Sequence, residues 1–156
     1  MKALPRIEAV YLKIDKVLEE ERSKANPPEA LRIEAQQVLN DQAYYVLCWR
    51  QLESEIDDVC RGAIRKRRAS GDWHVRRARY LYNPDDKKLS GLSFEDRVAL
   101  VLDKEANEKY SPGKRTMAHY GTRNEIAHGT LKLTRIDVSA FMRDCFAIQA
   151  ALYRAA

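Results

Sequence analysis

Tyr120-Gly121-Thr122-Arg123-Asn124-Glu125-Ile126-Ala127-His128-Gly129 is the stretch that decides how this 156-residue chain is read. Ile126 and Ala127 close an apolar-periodic run. Gly129 stands just past it, where a helix ending in a left-handed residue favours glycine. The stretch is therefore predicted to form the last turns of a helix. Arg123 and His128 lie near that end with four residues between them, and Asn124 directly follows the arginine. At about 100° per residue, five positions turn the chain by about 140° net, so Arg123 and His128 point to different sides of one regular helix. A second copy related by a two-fold axis could bring the arginine of one chain to the histidine of the other. Met117, Gly121, Asn124 and His128 share one stripe, and the bare backbone of Gly121 would let another chain or a ligand come close.

Arginine and histidine are the right types for cutting RNA without a metal. Imidazole, as a class, titrates near neutral pH and can move protons to or from a 2′-hydroxyl or a leaving oxygen. Guanidinium stays charged and can clamp a phosphate as negative charge develops. The RNA's own 2′-hydroxyl would be the nucleophile, leaving a cyclic phosphate and a 5′-hydroxyl. Asn124 would bond the phosphate or fix the histidine tautomer. The bland alternative is a helix-end histidine that merely meets the last carbonyls.

The string Arg123-Asn124-Glu125-Ile126-Ala127-His128, in the penultimate long helix of a helical chain, resembles the signature of the HEPN superfamily. The resemblance implies an all-α, HEPN-like helical bundle of one domain over residues 1–156, homodimeric in that family's manner. It implies a metal-independent endoribonuclease, of the kind used as toxin or defence effector, with Arg123, His128 and Asn124 catalytic at a composite site between two copies. No cofactor and no metal are implied. The implied partners are RNA, a second copy, and a cognate antitoxin or larger defence complex. Members paired with a nucleotidyltransferase-type antitoxin often carry a tyrosine two residues after the histidine. Thr130 stands there in this chain, so neutralisation through that residue is not implied. The alternative function is a non-catalytic module of the same fold that dimerises and binds RNA or protein.

Outward from this stretch, helical periodicity dominates. Pro5 to Lys24 places Ile7, Val10, Tyr11, Ile14, Val17 and Leu18 on one stripe, which predicts an amphipathic first helix. Asn26-Pro27-Pro28 ends it. From Pro28 to Ala69 a second, very long helix is predicted, with a bend or break near its middle. Leu31, Val38, Tyr45, Leu52 and Val59 recur every seven residues, with Ala35, Gln42, Trp49, Ile56 and Ala63 four positions later, as in a helix-packing seam. Residues 70–92 are expected to be irregular or weakly helical. Ser93-Phe94-Glu95-Asp96 reads as a capped helix start, with Phe94, Val98, Val101 and Leu102 apolar and an end near Tyr110. Ser111-Pro112 opens the helix that carries the signature. Thr134-Arg135-Ile136-Asp137 starts the last one, whose apolar face is Val138, Phe141, Cys145, Ile148 and Leu152.

Charged residues are 33% and hydrophobic ones 45% of the chain, with no apolar run long enough for a membrane span, so a cytoplasmic protein without membrane partners is expected. Cys48, Cys60 and Cys145 are odd in number and form no Cys-x-x-Cys pair, which argues for buried free thiols over a disulfide framework or a zinc site. His74, His119 and His128 are too scattered for a helix-borne metal motif, and no Gly-rich phosphate loop or Ser or Cys nucleophile signature is present.

Charge is uneven. Arg61, Arg65, Lys66, Arg67, Arg68, Arg76, Arg77 and Arg79 face Asp72 alone, a local +7 in a chain whose total is +5, so the remainder carries −2. Such asymmetry suits a polyanion. Within Trp73-His74-Val75-Arg76-Arg77-Ala78-Arg79-Tyr80, cations meet phosphate while aromatic rings offer stacking faces to unpaired bases. The candidate RNA-binding residues are Arg65, Lys66, Arg67, Arg68, Trp73, Arg76, Arg77, Arg79 and His119. Reversing Arg76, Arg77 and Arg79 to Glu is expected to weaken RNA binding and flatten the fall of log affinity with log salt. An unchanged slope in a salt titration would make the run a solvated face.

Overall fold

Buried positions on the longest helix recur every eleven residues: Val38, Trp49 and Cys60; Asp41 and Leu52; Tyr45 and Ile56; Gln37 and Cys48. Eleven residues in three turns is close to the natural pitch of an unsupercoiled helix, whereas a seven-residue seam drifts about 20° per repeat off a straight one. The expected heptad set accordingly holds only in its middle. Leu31 is 68% exposed and Ala35 is exposed, while Ile33, Gln37 and Asp41 turn inward instead. The expected break is absent, and this helix runs without interruption from Pro27 to Arg68.

The structure is a computed structural model, and it describes residues 1, 3–78, 89, 91–102, 111–132 and 134–155, with the side chains of residues 77, 78 and 155 left aside. Among the described residues the secondary structure is all helical: α1 (Leu4–Arg22), α2 (Pro27–Arg68), α3 (Trp73–Ala78), α4 (Phe94–Val101), α5 (Pro112–Ala127) and α6 (Val138–Ala155). None of these helices is long and apolar enough to cross a membrane. α4 is expected to run to near Tyr110, but it ends at Val101, where Leu102 turns to extended backbone (φ −133°, ψ 145°), and residues 103–110 lie outside the described residues. The chain divides into two compact units, Met1–Gln51 with His119–Phe146, and Leu52–Ala118 with Ala147–Ala156.

Local chemistry sets the helix ends. Asn26 Oδ1 accepts from the Glu29 amide at the start of α2. Asp72 Oδ1 accepts from the His74 amide at the start of α3, a short helix within the segment expected to be irregular or weakly helical. Ser93 and Asp96 make the expected capping box at α4, each side chain accepting from the other's backbone N–H at 3.1 Å. Ser111 Oγ accepts from the Lys114 amide, and Pro112 supplies the first residue of α5. The start of α6 differs from expectation. Thr134, Arg135 and Ile136 stay outside the helix, and Asp137 Oδ1 caps it by accepting from the Ala140 amide at 2.8 Å.

In the first unit, the link before α6 meets Asp41, which is fully buried on α2. Its Oδ2 accepts from Arg135 Nε at 2.6 Å and from the Ile136 amide at 3.0 Å. Its Oδ1 accepts from the Tyr11 hydroxyl at 2.9 Å. Arg135 Nη2 also reaches Asp15 on α1 at 2.5 Å. The link just before α6 is thus held to α1 and α2 by a charge-assisted network rather than by helical bonds. The α1 stripe is corrected as well: Leu4 and Tyr11 are its buried residues, while Val10, Ile14 and Val17 are exposed. Burial keeps Tyr11 well above the usual phenol range, with the Asp41 carboxylate adding to the shift.

In the second unit, Phe94, Val98, Val101 and Leu102 are buried as expected. Arg97 Nη1 meets Asp57 Oδ1 at 2.6 Å, with both side chains less than a fifth exposed. All three cysteines are buried free thiols. Burial pushes Cys48 and Cys60 up to about 12, and Cys145 upward as well, so none is poised as a thiolate.

Removing the guanidinium in Arg135→Ala would leave the Asp41 charge buried beside one hydroxyl and one amide. Such a deletion costs on the order of 3 kcal/mol, the low end for breaking a buried pair, because the Arg135 side chain is itself 37% exposed. Urea unfolding should show that loss in its midpoint. A change below about 0.5 kcal/mol would mean that water neutralises Asp41 unaided.

Candidate functional site

The signature stretch ends as its glycine requires. Gly129 adopts φ +66°, the left-handed conformation. Its amide donates to the Ile126 carbonyl at 3.1 Å, and the Thr130 amide donates to the Glu125 carbonyl at 2.9 Å. These two bonds form a Schellman stop, which satisfies carbonyls that the helix end would leave open. The His128 amide still donates to the Asn124 carbonyl at 2.9 Å. Helical geometry therefore extends to the histidine's own backbone.

Arg123 and Asn124 form a pair. Arg123 Nη1 donates to Asn124 Oδ1 at 3.0 Å, which directs the asparagine oxygen at the guanidinium. Arg123 is half-buried, and its Nε is buried with no hydrogen-bond partner among the described residues. A buried guanidinium N–H without an acceptor is uncommon and asks for an explanation. His128 is exposed, and no hydrogen bond to its ring is present among the described residues. Among the described residues no hydrogen bond joins Arg123 to His128.

His119, one turn before Arg123, is in the opposite situation. Its Nδ1 lies 2.9 Å from the Tyr45 hydroxyl and its Nε2 lies 3.1 Å from Asp144 Oδ2. Phe141 packs against the imidazole at 4.5 Å between centroids and stacks on Tyr45 at 4.0 Å. Burial raises the Tyr45 phenol well above its usual range, so its hydroxyl stays protonated. Both nitrogens of His119 are thus engaged inside the first unit, and the ring fastens α5 to α2 and α6 there. The sequence reading placed His119 among the candidate RNA contacts. The partners Tyr45 and Asp144 are 74 and 25 residues away, and no local spacing announces them.

The basic residues belong to the second unit. Arg65, Lys66, Arg67 and Arg68 form the last turn of α2, where cations oppose the partial negative charge of a helix end. Arg65 and Lys66 are exposed, and Arg67 and Arg68 half-buried. Trp73 is 57% exposed. Arg76 folds back, its Nη1 donating to the Ser70 and Gly71 carbonyls at 2.9 and 3.0 Å. Arg77 lies on α3, with no side-chain description, and Arg79 lies outside the described residues. Among the described residues no group of three or more His, Cys, Asp or Glu side chains could hold a metal ion.

Comparison with family models, with curated proteins and with solved structures finds no match to this chain. The case for a function therefore rests on the residues themselves.

Gly129→Ala should cost about 1–2 kcal/mol, since a Cβ is strained at this φ although open space surrounds it. Thermal unfolding checks this. An unshifted midpoint would show that the helix end relaxes freely.

Proposed function

We propose that this chain is a metal-independent endoribonuclease of HEPN type, acting as a homodimer in a toxin or defence role. The observation that carries the reading is the Arg123–Asn124 pair, with its unpartnered buried Nε, followed four residues later by an exposed histidine at a Schellman stop. A guanidinium already oriented by a neighbouring amide is prepared to receive a phosphate. Asn124 Nδ2 has no partner among the described residues and offers a further donor to the same anion. His128 supplies the proton carrier. The RNA 2′-hydroxyl attacks the adjacent phosphorus, its proton is taken up, and the bond to the 5′-oxygen breaks as that oxygen gains a proton. The products are a 2′,3′-cyclic phosphate and a 5′-hydroxyl.

Two features support a second copy as part of the site. Helix geometry separates Arg123 and His128 by about 140°, and α5 is unbroken between Pro112 and Ala127. Val10, Ile14 and Val17, spaced four and three apart on α1, present an apolar face that this chain leaves exposed.

Arg123→Ala and His128→Ala should each lower cleavage of total RNA in EDTA by about 10²-fold or more, with helicity unchanged. Full activity of His128→Ala, with contaminating nuclease excluded, defeats the assignment. Mixing the two inactive chains and letting subunits exchange should restore part of the activity, because the heterodimer keeps one Arg123 and one His128 on opposite chains. A verified heterodimer as inactive as its parents would place the site within one chain or require both copies of each residue.

A further inference from the structure

The second unit contains a cleft of about 810 Å³ that the ribonuclease reading does not use. One wall is α2, through Asp58, Val59, Gly62, Ala63, Lys66 and Arg67. Ser70, Val75 of α3, Leu100 and Val101 of α4 and Tyr153 of α6 complete it. The volume falls in the range of small-ligand sites.

The lining is ordered by chemistry along α2. Asp58 stands at one end, where its Oδ1 also accepts from Arg61 at 2.7 Å. Val59, Gly62 and Ala63 form the middle of this wall, and Leu100 and Val101 add apolar surface to the lining. Lys66 and Arg67 stand at the other end. From Asp58 to Arg67 the helix rises about 14 Å. Tyr153 is 61% exposed, with its hydroxyl donating to Glu55 at 2.7 Å, so its ring is fixed from the phenol end. A Cβ added at Gly62 would meet nothing within 4 Å, so the middle of the wall faces open space. A mid-helix glycine also costs stability relative to alanine, about 1 kcal/mol.

We propose that this cleft binds one unpaired nucleotide, with its base between the apolar walls and Tyr153, its exocyclic amine toward Asp58, and its phosphate at Lys66 and Arg67. The order carboxylate, apolar slot, paired cations matches exocyclic amine, base ring, phosphate. Stacking is tolerant of sequence, and a carboxylate accepts from an amino group, so adenine or cytosine is favoured over uracil. The RNA identity of the ligand agrees with the proposed ribonuclease, but the binding step stands apart from cleavage and from Arg123 and His128.

The experiment uses full-length His128→Ala protein, so that binding is read without cutting, and measures affinity for a short oligoadenylate, an oligouridylate and an abasic ribose-phosphate oligomer of equal length. Oligoadenylate should bind at least tenfold more tightly than the abasic oligomer, and Gly62→Phe should erase that difference. Gly62→Ala should fold at least as stably as the parent, and Gly62→Phe should retain its helical spectrum. If Gly62→Phe fails to fold, Tyr153→Ala and Asp58→Ala replace it: the first should weaken all base-containing ligands, the second should remove the preference for adenine over uracil. Equal affinity for the abasic oligomer overturns the proposal and leaves a phosphate-binding basic turn. Base-dependent binding that survives every cleft variant overturns it too. So does a loss of self-association or of binding to an acidic amphipathic peptide in Gly62→Phe with oligonucleotide affinity unchanged, which would make the cleft a protein-docking groove. Loss of cleavage in the wild-type background with the base preference intact would refute the ribonuclease reading alone.

Discussion

A single buried carboxylate organises the first unit. Asp41 sits in the apolar stripe of α2, where an unpaired charge would cost several kcal/mol. It is tolerated because four groups converge on it or beside it: the Arg135 guanidinium, the Ile136 amide, the Tyr11 hydroxyl and, through Arg135, Asp15. Burial by itself disfavours the charged guanidinium, but the Asp41 and Asp15 carboxylates outweigh it and raise Arg135 further. The fold consequence is specific. Asp41 accepts from the Ile136 amide, residues 134–136 lie outside α6, and Asp137 caps it. The segment that follows Gly129 is thereby anchored at its far end.

Legibility in the sequence followed the range of the interactions. Ser93, Ser111 and Gly129 act on groups within a few residues, and their roles could be read from spacing. The long helix was also legible, since Pro27-Pro28 at one end and a run of cations at the other are local signals. Its inward face was less so. A seven-residue and an eleven-residue pattern overlap for three or four turns and part only at the ends, where Leu31 points out and Ile33 points in. The eleven-residue relation between Asp41 and Leu52 could have drawn attention to the acid. Nothing near Arg135 marks it as the partner of a residue 94 positions earlier. α1 misled because Val10, Ile14 and Val17 carry the right period for a core face that this chain does not bury.

The same division runs through the candidate site. Arg123 with Asn124, and the helix stop beyond His128, are local and agree with the residue order. Tyr45 and Asp144, which hold His119, come from α2 and α6 and were beyond any spacing argument. Charge clustering announced a basic segment. Whether a cation in it faces outward depends on its immediate carbonyls, as Arg76 shows by turning back onto Ser70 and Gly71.

The two histidines of α5 and its end occupy opposite physical regimes, and the contrast bears on the proposed chemistry. His119 has a partner on each nitrogen and aromatic packing at its face, so its orientation is fixed and its protons are already committed. A proton carrier in catalysis needs one nitrogen oriented and the other available. His128 has the availability without the orientation: its backbone is held by the Asn124 carbonyl and the adjoining Schellman stop, while its ring is exposed. Arg123 shows the complementary deficit, a guanidinium positioned by Asn124 with one N–H buried and unpaired. Under the ribonuclease proposal, a phosphate lies between the arginine of one copy and the histidine of the other. The anion meets the remaining N–H groups of the guanidinium, and the 2′-hydroxyl or leaving oxygen gives the imidazole the partner that orients it. A chain that built both residues fully into its own core would have nothing left to offer the substrate.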